Sequence, residues 1–512
     1  MESNSLAHLP GVLDVTTLGV VGDGATLNTQ ALARAIALVA GQGGGTLYFP
    51  PGDYLSGTIV LAANLTLYLE TGATLRASPN RADYTQPAFI YAEDAPNVAI
   101  RGRGAINGSG TSFWKREEGR WRVGEWRPGR MVQFVRCHNL LIEDVTLTNS
   151  PAWTLHPVDC DGVAIRGITI LNGMYEENGP NTDGIDPDGC SFVRISDCYL
   201  QTGDDSIVIK ITNRPGGRRA CRDIVVTNCV LRSSETALKI GSETHGEFRN
   251  ISFSNCTIVD AGCGIGLWMR DGGSIDGWTV NNISMTLPKG GVPIYLWAWP
   301  RIDHDAIHPA EGKTIADYGP AGTVRNVLIS NVTATGDGGV LISGAPNQPL
   351  EGITLDNVRI TMRGRTDKPL HAAPPLPFPV WGHHRAPYDL FCRYVTGLTL
   401  RSVRFAWGTP EKPAWGSAMR CQYVNDLELD GFSGRQAAGA DAPAIWLRAV
   451  HGAFIHDCWA PRGTGTFVRL DEATRDVTLM NNELSRAAEM FAVVPGSSSQ
   501  EPFCSGNRYR RA

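Results

Sequence analysis

The feature that most restricts what this chain can fold into is a short motif that keeps returning. Val-Ala-Ile-Arg-Gly at 98–102, Leu-Leu-Ile-Glu-Asp-Val at 140–145, Val-Ala-Ile-Arg-Gly-Ile at 163–168 and Val-Arg-Ile-Ser-Asp-Cys at 193–198 all alternate apolar with polar residues. Alternation sends successive side chains to opposite faces, as a half-buried strand requires. The pattern runs on through 225–229, 252–256, 279–283, 328–332 and 354–358, with weaker copies around Leu400, Leu429, Ile455 and Leu479. With Ile142, Ile165, Ile195, Val226, Phe253 and Val280 as anchors, the copies stand 23 to 31 residues apart. One short strand per repeat of this length marks a solenoid. Two residues past the anchors stand Asp197, Asn228, Asn255, Asn282, Asn331 and Asn357. Asparagine tolerates left-handed backbone, and stacked copies can bond one another along the axis. The expectation is an all-β parallel β-helix with an asparagine ladder. Helical repeats would need 3.6-residue periodicity and few glycines, whereas the chain has 58.

One helix is expected, at the start. Asn28 or Thr29 can cap it, Leu32, Ile36 and Val39 form its apolar stripe, and Gly41 with Gly43, Gly44 and Gly45 ends it. Placed before a strand array, this cap (about 13–55) covers the open end of the sheet. Coils are expected from about 45 to 505, so that 1–512 forms a single β-helix domain.

Within this frame, Asn181-Thr182-Asp183-Gly184 and Gly203-Asp204-Asp205 stand out. From Asp183 to Asp204 is 21 residues, one coil, which puts the acids on neighbouring strands about 4.8 Å apart. Like charges within about 4 to 6 Å raise one another's pKa. One of Asp183, Asp204 and Asp205 should therefore hold a proton while another stays ionised, the division that glycosidic cleavage needs. A lone Asp-Gly would be only a turn; three acids in register are more.

Composition removes other classes. A net charge of −5 gives no basic stripe for nucleic acid, and no apolar run approaches a membrane span. The opening residues carry no basic-then-apolar leader, and the 12 cysteines include no Cys-x-x-Cys pair for zinc or redox chemistry. Cys198, Cys229, Cys256 and Cys458 fall at inward positions of the repeat as small apolar residues. A cytoplasmic, reducing setting is expected, as are no cofactor, no metal, and a monomer or weak homo-oligomer. Insertions at 107–130, 211–222, 284–325 and 362–396 are expected to project as groove walls. The first carries Trp114, Trp121 and Trp126 among Lys115, Arg116, Arg120, Arg122, Arg127 and Arg130, which suits an acidic saccharide. The third carries Trp297, Trp299, Arg301, His304 and His308. His383-His384 reads as structural.

The two aspartate motifs, with Asn149-Ser-Pro-Ala-Trp153, Ile240-Gly-Ser-Glu243 and Gly22-Asp-Gly24, resemble the signature of the polygalacturonases, glycoside hydrolase family 28. The resemblance covers nearly the whole chain. It implies a right-handed parallel β-helix and inverting hydrolysis of pectin-type saccharides, with Asp204 as general acid and Asp183 and Asp205 handling the water. Two family features depart. Thr236 stands where a histidine is usual, with His245 farther along, and the cations of the usual Arg-x-Lys are replaced by Gly266 and Trp268. Lys239 and Arg270 are the substitutes expected to meet the substrate, alongside Asn181, Glu243, His245 and Trp268. Loss of that cation pair also fits a rhamnogalacturonan-like or neutral sugar at the cleavage point. The long loops favour exo action. The alternatives are a β-helix lyase, with acids on Ca²⁺ and an Arg or Lys as base, and a non-catalytic carbohydrate-binding β-helix.

Overall fold

The computed structural model describes residues 11–288, 291–302, 315–363, 387–409 and 415–509. His304, His308, His383 and His384 lie outside the described residues, as does much of the 362–396 insertion. The chain divides into two compact units, 1–238 and 239–512.

In 1–238 the expected repeat becomes three rows of parallel strands. One row stacks Val12–Asp14, Gly45–Phe49, Leu65–Leu69, Ala99–Gly102, His138–Glu143, Asp161–Arg166, Ser191–Ser196 and Ala220–Thr227. In it Ile142, Ile165, Ile195 and Val226 pair in exact register, all buried. Each such burial contributes roughly 1.5–3 kcal/mol, and a one-residue slip would turn the row to solvent. A second row contains Ala73–Ala77, Ala105–Asn107, Thr146–Thr148, Thr169–Leu171 and Tyr199–Thr202. The third contains Ile59–Val60, Ala88–Glu93, Arg130–Val135 and Trp153–Val158. It is extended by bridges from Leu155 to Ile185 to Ile207 and from Val158 to Asp188 to Lys210. That third row carries the site.

The unit 239–512 repeats the plan with longer strands that run through their corners, such as Gly273–Leu287, Gly322–Gly336 and Leu350–Met362. Val280, Ile329 and Leu355 are its interior stack. The parallel β-helix expected from the repeat is what the chain forms.

The ladder forms as well. Asn282 donates to Asn255 at 3.0 Å, Asn357 to Asn331 at 2.8 Å and Asn228 to Asp197 at 3.4 Å, all with φ between 50° and 58°. A second ladder, Asn139 to Asn97 to Asn64, each step 2.7 Å, runs along the N-terminal ends of the row strands. The cysteines are free thiols, and all but Cys504 are buried. Besides the expected positions they form a stack of their own, in which the Cys137 amide donates to the Cys160 sulfur and the Cys160 amide to that of Cys190.

The helix spans Thr29–Gly41, buries Leu32, Ile36 and Val39, and packs on the first strands as a cap should. Its capping differs from expectation. The Asn28 side chain makes no cap bond to the helix. It accepts from the Val21 amide and donates to the carbonyls of Val21, Thr26 and Leu55, so it ties the entry loop to a strand. Among the described residues no helix is long and apolar enough to cross a membrane.

Candidate active site

Backbone bonds across four consecutive coils assemble the acids. The Thr154 amide donates to the Asp183 carbonyl at 3.0 Å, Gly184 to Asp205 at 2.9 Å and Ser206 to Thr236 at 2.9 Å. Asp183, Asp204 and Asp205 each present a carboxylate oxygen within 4.8 Å of the others. Asp183 and Asp205 are buried, while Asp204 is half-buried and the most open of the three. The glycines of both motifs are enforced by close approach. A Cβ on Gly184 would stand 2.4 Å from the Ser206 carbonyl oxygen, and one on Gly203 2.3 Å from Thr182 Oγ1.

The turn holding Asp204 is fixed through its carbonyl, which accepts from Thr202 and Ser233 hydroxyls at 2.8 and 2.7 Å. Asp204 Oδ1 also accepts from the Asp205 amide at 2.9 Å. Asp205 Oδ1 accepts from the Thr236 amide at 3.0 Å. Thr236 therefore does occupy the coil next to the acids, but its buried Oγ1 has no hydrogen-bond partner.

Beneath the trio lies a charged layer that sequence reasoning missed. Lys210 is buried, and its Nζ lies 3.1 Å from both Asp183 Oδ2 and Asp186 Oδ1. The same Nζ sits 3.6 Å from the Trp153 ring centre, and the Arg130 guanidinium lies 3.7 Å from that centre. Arg130 Nε donates to His156 Nδ1 at 2.8 Å, so the ring proton resides on Nε2, which faces Asp188 Oδ2 at 3.3 Å. Burial pushes His156 down to about 4, against the pull of Asp188. Burial opposes ionisation of Asp188, but His156 and Arg214 hold its carboxyl well below the usual range. Arg214 also reaches Asp159 at 2.7 Å. The lysine was detectable: it is the one charge in the apolar run Ile207-Val-Ile-Lys-Ile211.

The 107–130 insertion forms a hairpin, Trp114–Glu117 with Arg120–Val123. Trp114 Nε1 donates to the Pro151 carbonyl at 3.0 Å, and Trp126 packs edge-on against Tyr84 and Phe113. These two tryptophans anchor the insertion and do not stand free as sugar platforms. Arg127 donates to the carbonyls of Pro151 and Pro180 and, at 2.9 Å, to Asn181 Oδ1. Burial brings the Arg127 guanidinium down to about 10, helped by Arg130 and opposed by Asp183 and Asp204. Asn181 is thus tied to the insertion beside the acids.

The remaining predicted residues belong to 239–512 and form a cluster of their own. Lys239 Nζ lies 3.9 Å from the Trp268 ring centre. Trp268 is buried and packs edge-on to Tyr295 and Trp297, so it offers no open face. Arg270 is 2% exposed, its guanidinium lies 5.5 Å from the Trp297 ring centre, and its Nε and Nη2 have no hydrogen-bond partner. Burial pushes it down to about 10, with Arg301 adding to the shift and Asp271 and Glu243 opposing it. Arg301, not singled out as a site residue from sequence, organises the cluster. It bonds Asp271 at 2.6 and 2.8 Å and lies 3.8 Å from Glu243, while His245 stands 3.6 Å from Asp271. Elsewhere in this unit Asp430, His456 and Asp457 bring ligand atoms within 4.8 Å, a spacing a cation could use.

Comparison with known proteins identifies the family. The model of glycosyl hydrolases family 28 matches residues 45–374. The chain belongs to glycosyl hydrolase family 28. It is therefore a glycoside hydrolase, and the lyase and scaffold alternatives fall away. A protein named "Probable polygalacturonase" from Vitis vinifera is 28% identical over 390 residues, 71% of this chain and 76% of that one. An endo-polygalacturonase of Pectobacterium carotovorum subsp. carotovorum is 25% identical over 360 residues, 65% of this chain and 82% of the relative. Among solved structures, the hyperthermoactive exopolygalacturonase from Thermotoga maritima matches with a TM-score of 0.55 at 28% identity, covering 70% of this chain and 88% of that one. The family 28 assignment agrees with the aspartate motifs and with the coil geometry that joins them.

Proposed function

We propose that this family 28 enzyme hydrolyses pectin-type oligo- or polysaccharides, galacturonan or rhamnogalacturonan-like, from the chain end and with inversion. The observation that carries the reading is the trio of carboxylate oxygens within 4.8 Å on adjacent coils. Asp204, the most open of the three, gives its proton to the glycosidic oxygen as the C1–O bond breaks. Water held by Asp183 and Asp205 attacks C1 and passes its proton to that pair. The spacing is shorter than the roughly 6.5–9.5 Å at which a single acid and a single base flank a water, and lies near the roughly 5–5.5 Å of retaining pairs. Inversion therefore requires the water to sit on the Asp183–Asp205 pair and not between acid and base.

Exo action is supported by the hairpin at 114–123 and Arg127, which close over 151 and 180–181 next to Asp183. An acidic sugar is supported in 239–512 by Arg270. Its buried Nε and Nη2, which have no hydrogen-bond partner, are suited to clamp a carboxylate, with Lys239, Glu243, His245 and Trp268 in the same cluster. The polygalacturonase relatives point to the same substrate class.

The test is incubation with pectic and neutral oligosaccharides, with products separated by chromatography and the first-formed anomer read by NMR. Monosaccharide released early from galacturonan with inverted configuration is the expected result. Long early fragments would overturn exo action. A retained anomer would overturn inversion and make one of the buried aspartates a nucleophile.

A further inference from the structure

We propose that Lys210 is the positioning residue that keeps Asp183 ionised and thereby fixes which side of the trio acts as base. This inference rests on the hydrolytic reading above. Lys210 does not reach the cleaved bond; it acts through Asp183.

The argument begins with an imbalance. Asp183 and Asp186 are 2% and 0% exposed, and a single lysine nitrogen lies 3.1 Å from an oxygen of each. Two buried anions against one cation leave an uncompensated charge, which the interior strongly disfavours. One of the two acids should then be neutral. Geometry decides which. Nζ makes a properly directed hydrogen bond to Asp183 Oδ2 at 3.1 Å, whereas its approach to Asp186 Oδ1 at the same distance is a charge contact, and among the described residues neither Asp186 oxygen has a well-directed hydrogen bond. Burial also drives the Asp186 carboxyl well above its usual range, with Lys210 opposing and Asp183 adding to the rise. The lysine charge therefore serves Asp183.

The other charged groups facing this pair do not replace it. Arg130 bonds His156 and lies over the Trp153 face, and its charge opposes the rise at Asp186 more weakly than Lys210 does. Arg127 bonds two carbonyls and Asn181, and acts on Asp183 and Asp204 only through space. His156 is held neutral by burial, and Asp204 and Asp205 add negative charge. Trp153 fixes the lysine from the opposite side, so that the ammonium is gripped between an aromatic face and a carboxylate.

A cation in contact favours the ionised carboxylate. With Lys210 present the base is available down to low pH; without it, the trio takes up a proton earlier as pH falls. The experiment is the pH profile of kcat/KM for wild type, Lys210→Met, Lys210→Arg and Asp186→Asn, with folding of each followed by circular dichroism. The profile reports the coupled carboxylates together. In Lys210→Met the acidic limb should move up by about 1 to 3 pH units, with kcat falling more than KM changes. Lys210→Arg should restore most of the limb, which a merely structural role for the lysine would not require. Asp186→Asn mimics the neutral acid and should leave the limb within a few tenths of a unit. It also keeps the proposal testable if Lys210→Met does not fold. An unmoved limb in folded Lys210→Met, or loss of activity in folded Asp186→Asn, overturns the proposal. If Asp204→Asn keeps full activity, the hydrolytic reading itself fails, a result separate from either.

Discussion

The acids of 153–210 and the cations of 239–301 are two versions of one construction. In each, side chains from consecutive coils converge on one spot. In the first, three carboxylates crowd together and a buried lysine beneath them offsets part of the charge. In the second, cations crowd together, and their partners are as much aromatic faces as carboxylates: Lys239 on Trp268 and Arg270 on Trp297, with Asp271 taken by Arg301. A carboxylate partner saturates a cation's donors, whereas a ring face stabilises its charge without using them, and Arg270 keeps Nε and Nη2 without a hydrogen-bond partner. On the proposed reading the first region moves protons and the second, through Nε and Nη2 of Arg270, holds an anion. The same coil geometry serves both.

The largest break in this comparison is at Asp204. Asp204→Asn keeps the shape and removes the transferable proton, so kcat should fall by about 10²–10⁴-fold with the melting temperature unchanged within a degree or two. Activity within tenfold of wild type would show that the acid region does not divide the chemistry as described.

Next comes the support beneath the acids. His156 is buried neutral at about 4, below the roughly 6.5 of an exposed histidine. Between those values the unfolded chain binds a proton that the native state refuses, so stability falls as pH drops from about 6.5 to about 4. The loss should reach about 2 to 4 kcal/mol, read as the urea midpoint against pH. His156→Gln should flatten that slope. The cation cluster has no buried neutral histidine of this kind, so a slope that survives the substitution would place the sensitive group elsewhere.

Arg270 sharpens the contrast from the other side. Arg270→Leu removes a buried cation whose Nε and Nη2 are unpartnered, so stability should hold or rise. Charge-assisted bonds are worth about 1.5–3 kcal/mol, so KM for an acidic oligosaccharide should rise about 10- to 150-fold while kcat changes little. An unaltered KM would make the cluster structural.

What sequence made legible follows from how local each feature is. The coil period, the Asn255–Asn282 and Asn331–Asn357 steps and the pairing of Asp183 with Asp204 and Asp205 depend on one repeat length and on alternation, both visible in one dimension. The Asn64–Asn97–Asn139 ladder escaped because its members are 33 and 42 residues apart, outside the regular spacing. Asn28 misled because a capping residue and a loop-tying residue look alike until the Val21 and Leu55 carbonyls are placed. Lys210 lies on a different coil from Trp153 and His156, and the three acquire a role only when the coils stack. Arg127 is one of several arginines in its insertion, and only the fold brings it to Asn181.

The smallest effect belongs to the scaffold that both regions share. Asn331 holds φ of 52° and accepts at 2.8 Å from Asn357, on the exposed surface and outside either cluster. Asn331→Ala forces a Cβ residue without a local side-chain bond into left-handed backbone, at about 1–2 kcal/mol, and deletes the ladder step, at about 0.5–1.5 kcal/mol. Asn331→Gly removes only the second contribution, because glycine takes that backbone freely. The difference between the two variants in urea therefore separates backbone strain from ladder bonding, with kcat and KM unchanged in both. If alanine and glycine cost the same, the ladder asparagines are retained for bonding alone; if glycine costs nothing, they are retained for the corner. Either result measures what the coil itself requires, the baseline against which the acid and cation regions are to be judged.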